Sequence, residues 1–201
     1  VWALPHPNCG GLTVGMKLLE TPLPDLLVVE PDVFEDSRGY FFEAYNWAKY
    51  QQQGFTDRFV QDNVSLSTRK GIVRGLHFQW PNPQGKLVSA LRGEIFDVAV
   101  DIREGSPTYG QWHAVILSEE NHRMLFVPKG FAHGFCTLSD EALVTYKCTD
   151  FFSKEDDGGI HYLDPMLAID WPLRDVLLSE KDMNQPMLSE LPSHKKPQYS
   201  R

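Results

Sequence analysis

What is scarce in this sequence narrows its role first. No apolar run approaches the ~20 residues that a helix needs to cross a bilayer, so a helical membrane span is excluded. Positive charge is outnumbered: 19 Lys and Arg stand against 27 Asp and Glu, a formal net charge of −8. An acidic chain repels a polyanion at long range, which argues against DNA or RNA as a partner. It leaves room for one small anion, because a few local cations outweigh a distant average. Cysteine is rare, with only Cys9, Cys136 and Cys148. An odd, widely spaced set is neither a disulfide framework nor a zinc pattern, and it suits a reducing compartment such as the cytoplasm. Residues 1–15 contain no Asp, Glu, Lys or Arg and lack the basic start and long apolar core of a signal peptide. Met16-Lys17-Leu18-Leu19-Glu20 reads as a natural start, so residues 1–15 are expected to be an extension or leftover segment outside the fold.

What is present is a series of short runs rich in Val, Ile, Leu, Phe and Tyr, separated by Pro and Gly. They include Leu26–Val29, Gly39–Ala44, Leu87–Leu91, Glu94–Asp101, Trp112–Leu117, Arg123–Val127 and Ala142–Cys148. Such spacing predicts an all-β sandwich or barrel. In 94–101, Phe96, Val98 and Val100 share one face and Asp97, Ala99 and Asp101 the other. Acids on a buried sheet need partners or a wet mouth; the alternative is a plain solvent face. Helical signals are few. Tyr45–Gln53, stopped by Gly54, reads as one helix; 175–178 and 179–183 read as short turns, with Ser179 and Asp182 at N-cap spacing. The 201-residue length suits one domain of ordinary size, placed at 16–192, with 193–201 as a polar tail expected to fray.

Chemistry concentrates in three nearby stretches: Gln61-Asp62-Asn63-Val64-Ser65, Gly71 to Gln79 with Arg74 and His77, and Gln84-Gly85-Lys86-Leu87-Val88. They place amides, an arginine, a histidine and a lysine within what reads as one hairpin's length. A fourth, Pro128-Lys129-Gly130-Phe131-Ala132-His133, matches the second cupin motif, a turn that aims a histidine into a double-sheet jelly roll. The first cupin motif normally offers two histidines and a glutamate to a metal. Here His77-Phe78-Gln79 supplies one histidine, and Lys86 stands where a carboxylate would be wanted. A cation beside a metal site is opposed by Coulomb repulsion, and two histidines are a thin ligand set. The expectation is therefore no metal and an anion-binding pocket.

These segments resemble the dTDP-4-dehydrorhamnose 3,5-epimerase family. The resemblance runs in order from about Met16 to about Leu188. It passes through Asp36–Glu43, Gln61–Asn63, Val73–Gln79, Gln84–Val88, Asp97–Arg103, Ser106–Gly110, Pro128–Phe135, Tyr146-Lys147, Ile169–Pro172 and Leu178–Asp182. It implies a cupin-type double-sheet jelly-roll barrel with a few short helices, needing no cofactor. It also implies a dTDP-sugar substrate with a ketone at C4, which acidifies the C–H bonds at C3 and C5. Removing a proton gives an enolate, and returning it to the other face inverts the centre. By the same resemblance His77 is the base and Asp182 the acid that fixes its tautomer, with Asp170 the rival partner. Lys86 stabilises the enolate, and Tyr146 donates the second-face proton. Arg38 and Arg74 match phosphate oxygens. His133 either contacts sugar or diphosphate or is a relic of the cupin turn; Gln61, Asn63 and Glu43 either meet the nucleoside or tie strand ends. The family residue matching Arg38 reaches into the neighbouring subunit's site, which implies a homodimer. The rival readings are a relative that epimerises one carbon only, a metal-dependent cupin, and a non-enzymatic sugar-nucleotide binder.

Overall fold

The computed structural model describes residues 15–199; the expected extension, apart from Gly15, lies outside them. The strands are β1 (Met16–Glu20), β2 (Leu27–Pro31), β3 (Val33–Asp36), β4 (Gly39–Phe42), β5 (Gln61–Ser67), β6 (Val73–Gln79) and β7 (Lys86–Arg92), followed by β8 (Glu94–Asp101), β9 (Trp112–Ser118), β10 (Met124–Val127), β11 (Phe131–Thr137), β12 (Ala142–Cys148) and β13 (Asp157–Gly159). Two short α-helices join them, α1 (Trp47–Gln52) and α2 (Glu180–Met183). No helix among the described residues is long and apolar enough to cross a membrane.

The strands form the expected all-β double sheet of a jelly roll. A six-stranded sheet runs β1-β2-β10-β7-β12-β5 and a five-stranded sheet β13-β6-β11-β8-β9; the two face each other without joining into a closed barrel. Alternation decides what fills the gap. Val88, Ala90, Leu125, Val127, Ala142 and Val144 of the first sheet meet Ile95, Ala99, Leu117, Phe131 and Phe135 of the second. Burial of this kind is the main favourable contribution to folding.

Strand β8 shows why its pattern reads ambiguously. Phe96, Val98 and Val100 face outward, yet they are covered by Leu167, Ile169, Leu188 and Leu191 of the C-terminal segment. The opposite face points between the sheets, so a solvent face is ruled out on both sides. Its acids have the partners that burial demands. Asp97 bonds His133, and Asp101 accepts from Arg103, Ser106 and Thr108.

Local signals account for the helices. The Asn46 side chain caps α1 by accepting from the Ala48 N–H, so the helix is shorter than the 45–53 expected. Ser179 caps α2 by accepting from the Asp182 N–H, as its spacing suggests. At 175–178 the chain bends at Asp175 and then bridges Leu177 to Ile72, with no helical turn. The described part of the tail expected to fray, residues 193–199, is tied down: Gln198 bridges Glu104, the Tyr199 N–H donates to the Glu104 carbonyl, and Arg103 lies 4.9 Å from the Tyr199 ring centre.

Two features set up the site. First, β6 and β11 slip register between His133 and Phe135, leaving an extra residue in β6. Gly75 sits at this bulge with φ +115°, and a methyl there would come 2.6 Å from the Gly134 Cα. Second, β3 and β4 form a hairpin that pairs with neither large sheet, with Phe34, Tyr40 and Phe41 exposed.

Candidate active site

Between the sheets lies an open cleft of about 800 Å³, lined from both sides. The expectation of one hairpin is replaced by strands of two sheets. β5, β7 and β12 bring in one set of residues and β6 and β11 the other. Register explains the first set. Tyr146 lies opposite Asn63 and Val88, and Cys148 opposite Gln61 and Lys86. Directly paired residues share a face, so Gln61, Asn63, Lys86 and Tyr146 all point into the gap. From the other sheet, His77 and His133 face in as a cross-strand pair.

Helix α2 supplies the partner of His77. Its Nε2 lies 2.5 Å from Oδ1 of Asp182, a residue 105 positions away. Asp170, the rival partner, is exposed. Burial works against the Asp182 carboxylate, but hydrogen bonds from His77, from the Ser179 hydroxyl and from the Gly75 N–H prevail and hold the carboxyl below its ordinary value. A carboxylate accepts the Nε2–H, leaving Nδ1 as the nitrogen with a free electron pair. The imidazole is about one-third exposed, on the cleft wall.

His133 has a carboxylate of its own, with Nε2 2.8 Å from Oδ1 of Asp97. Asp97 is wholly buried and its Oδ2 has no partner among the described residues. Burial pushes its carboxyl up, against the pull of His133. Among the described residues no three His, Cys, Asp or Glu side chains converge as metal ligands.

Lys86 is buried at the cleft, and burial pushes its ammonium down against the nearby Cys148 and Asp157. A poorly solvated cation of this kind gains much from an anion brought beside it. Burial raises the Tyr146 phenol, helped by Cys148 and opposed by Arg74. Arg74 sits at the rim, donating to the Ser67 hydroxyl and the Leu66 carbonyl across the gap between the sheets.

Eight of the ten expected residues thus line one cleft: His77, Asp182, Tyr146, Lys86, Gln61, Asn63, Arg74 and His133. Arg38 and Glu43 do not reach it within this chain. Arg38 is at the tip of the β3–β4 hairpin, paired with Asp36. Glu43 binds Lys49 at 2.7 Å and Asn46 at 3.1 Å, beside a separate small cavity. Sequence reading missed Phe152, which lines the cleft although 58% exposed, and Gln79, Gln84, Ser179 and Lys181. Two adjacent aromatics after a strand, Phe151-Phe152, were the available signal, because exposed aromatic pairs in loops mark contact surfaces.

Comparison with known proteins agrees with this geometry. Residues 20–190 match the family model described as dTDP-4-dehydrorhamnose 3,5-epimerase. A protein of that name from Methanothermobacter thermautotrophicus is 54% identical over 179 residues, covering 88% of this chain and 96% of its own. A dTDP-4-dehydrorhamnose 3-epimerase from Streptomyces niveus is 39% identical, over 87% of this chain and 85% of its own. The crystal structure of a dTDP-6-deoxy-D-glucose-3,5-epimerase from Legionella pneumophila, in complex with dTDP-4-keto-L-rhamnose, is 52% identical. It superposes with a TM-score of 0.90, covering 92% of this chain and 100% of that one.

Proposed function

The chain belongs to the dTDP-4-dehydrorhamnose 3,5-epimerase family, and from that premise we propose that it epimerises C3 and C5 of dTDP-4-dehydro-6-deoxy-D-glucose, giving dTDP-4-dehydro-L-rhamnose for dTDP-L-rhamnose synthesis. The carrying observation is an imidazole held by a buried carboxylate on one wall of a cleft whose other wall presents a phenol and a desolvated ammonium. Nδ1 of His77 takes the proton from the carbon beside the ketone, and Asp182 stabilises the resulting imidazolium. The electron pair moves to O4, where the Lys86 ammonium meets the enolate charge. Tyr146, on the facing sheet, returns a proton to the opposite face of the carbon. Arg74 serves the diphosphate; Gln61, Asn63 and His133 hold the rest of the ligand. Residues 16–192 form the catalytic unit.

The test is incubation with the substrate in heavy water, read by proton NMR. Deuterium at both carbons supports the proposal, and uptake at C3 or C5 alone replaces it with single-carbon epimerisation. Identities of 46–54% with seven 3,5-epimerases, against 39% with the 3-epimerase, favour two carbons. Tyr146→Phe should still lose substrate deuterium or hydrogen to solvent while accumulating little inverted product. Normal epimerisation by that variant would remove Tyr146 as donor.

We further propose a homodimer in which Arg38 and Glu43 complete the partner's cleft. Support comes from Phe34 and Tyr40, exposed at 49% and 50% on the two-stranded hairpin, and from Val64, Leu66 and Leu91, exposed at 72%, 50% and 45% on the outer face of the six-stranded sheet. Mixing Arg38→Ala protein with His77→Asn protein, after unfolding and refolding together, should recover activity that neither has alone. Each mixed dimer then contains one cleft with both residues intact. No recovery, with mixed dimers shown by mass spectrometry, would place Arg38 outside the site. The free buried thiols Cys136 and Cys148 suit a reducing cytoplasm.

A further inference from the structure

We propose that Gln79 is a positioning residue: its amide locks the loop carrying Phe152 over the mouth of the cleft, and so sets nucleotide affinity without taking part in proton transfer. This rests on the cleft being a nucleotide-sugar site. Gln79 occupies the place where the cupin pattern offers a second metal-binding histidine, and it is only 4% exposed. A buried amide must satisfy two donor hydrogens and an acceptor oxygen, and here all three act on backbone. Nε2 donates to the Asn82 carbonyl at 3.1 Å and to the Phe151 carbonyl at 3.3 Å; Oε1 accepts from the Ser153 N–H at 2.9 Å. One side chain thereby joins the loop after β6 to the loop after β12.

The residue between the two fixed positions is Phe152. Its N–H donates to Oε1 of Gln61 at 2.9 Å, and the residue stays 58% exposed on the cleft lining. An aromatic ring held in solvent at the mouth of a polar cleft is a stacking platform for a planar ligand group, and a nucleobase is that group in a dTDP-sugar. The platform works only if the loop is already ordered, since ordering it on binding would cost affinity. Gln79 supplies that order through the loop backbone, from the end of β6 two residues beyond His77.

The experiment measures the Kd of dTDP, which lacks the sugar, and kcat for deuterium exchange with saturating substrate. Wild type, Gln79→Leu, Phe152→Ala and the double variant are compared. Gln79→Leu should weaken dTDP roughly tenfold and change kcat less than about threefold. In the Phe152→Ala background the same substitution should change Kd less than about twofold, because the platform it serves is gone. A merely structural role for Gln79 would add the same loss in either background, and that additivity would overturn the proposal. So would a fall in kcat with unchanged Kd. Wild type that neither binds dTDP nor exchanges protons would instead refute the nucleotide-sugar reading itself.

Discussion

His77→Asn should abolish deuterium exchange at C3 and at C5 together, slowing each by roughly 10²–10⁴-fold, the range of positioned proton transfer. The joint loss follows from geometry. Only one wall of the cleft carries an imidazole whose second nitrogen is already committed to a carboxylate from α2, while the phenol and the ammonium lie on the other wall. On the proposed assignment both protons leave toward the same group, with the sugar's two acidic carbons presented to it in turn. Asparagine is shorter than the imidazole and gives up the Nε2 contact, but Asp182 keeps its bonds from the Ser179 hydroxyl and the Gly75 N–H, so the melting temperature should fall only modestly. The affinity for dTDP should stay near that of the parent, because the proposed nucleotide contacts, Phe152 and Gln61 among them, lie elsewhere along the cleft. NMR in heavy water, with a thermal melt as control, checks all three. Retained exchange at either carbon would mean that a second base serves it, and His133 with Asp97 would be the group to examine.

Gly75→Ala should cost roughly 3 kcal/mol, at the upper end of single substitutions. Gly75 lies at φ +115°, where an L side chain is strained in any surroundings, and the added carbon would meet the Gly134 Cα at 2.6 Å and the His133 carbonyl at 2.7 Å. These are backbone atoms of a paired strand and cannot rotate aside. For a chain of this size such a loss lowers the melting temperature by about 6–12 °C. Activity should fall more than the stability loss explains, because the bulge also aims the Gly75 N–H at Asp182. A melt within 2 °C of the parent, with normal exchange, would show that β6 and β11 can part without consequence.

The sequence pattern carried the layout unevenly. Strand β8 matches its predicted span of 94–101 because Gly93 precedes it and period-two alternation runs through it. Which sheet each strand joins was not legible. Gln61 and His77 look like neighbours on one hairpin but sit on opposite sheets, since pairing between distant strands leaves no local trace. Eight site residues could be named because the family order fixes them. The Asp182 partnership in particular came from resemblance, as 105 intervening residues carry no periodic signal. The roles of Gly75 and Gln79 were hidden for a physical reason: a bulge and a loop clamp depend on backbone atoms that any sequence supplies. The tail misled through its polar composition, because Gln198 and Tyr199 are held by backbone pairing and a guanidinium, not by apolar burial.

The long reach from His77 to Asp182 has a consequence for how the protein comes into being. During synthesis the imidazole emerges first, and the carboxylate that orients it follows more than a hundred codons later. The same late-emerging stretch brings Ile169, Leu188 and Leu191 to cover the five-stranded sheet. A chain made only as far as β12 should therefore lack the oriented imidazole and leave the outer face of the five-stranded sheet uncovered, and both are remedied together when residues 167–191 pack down.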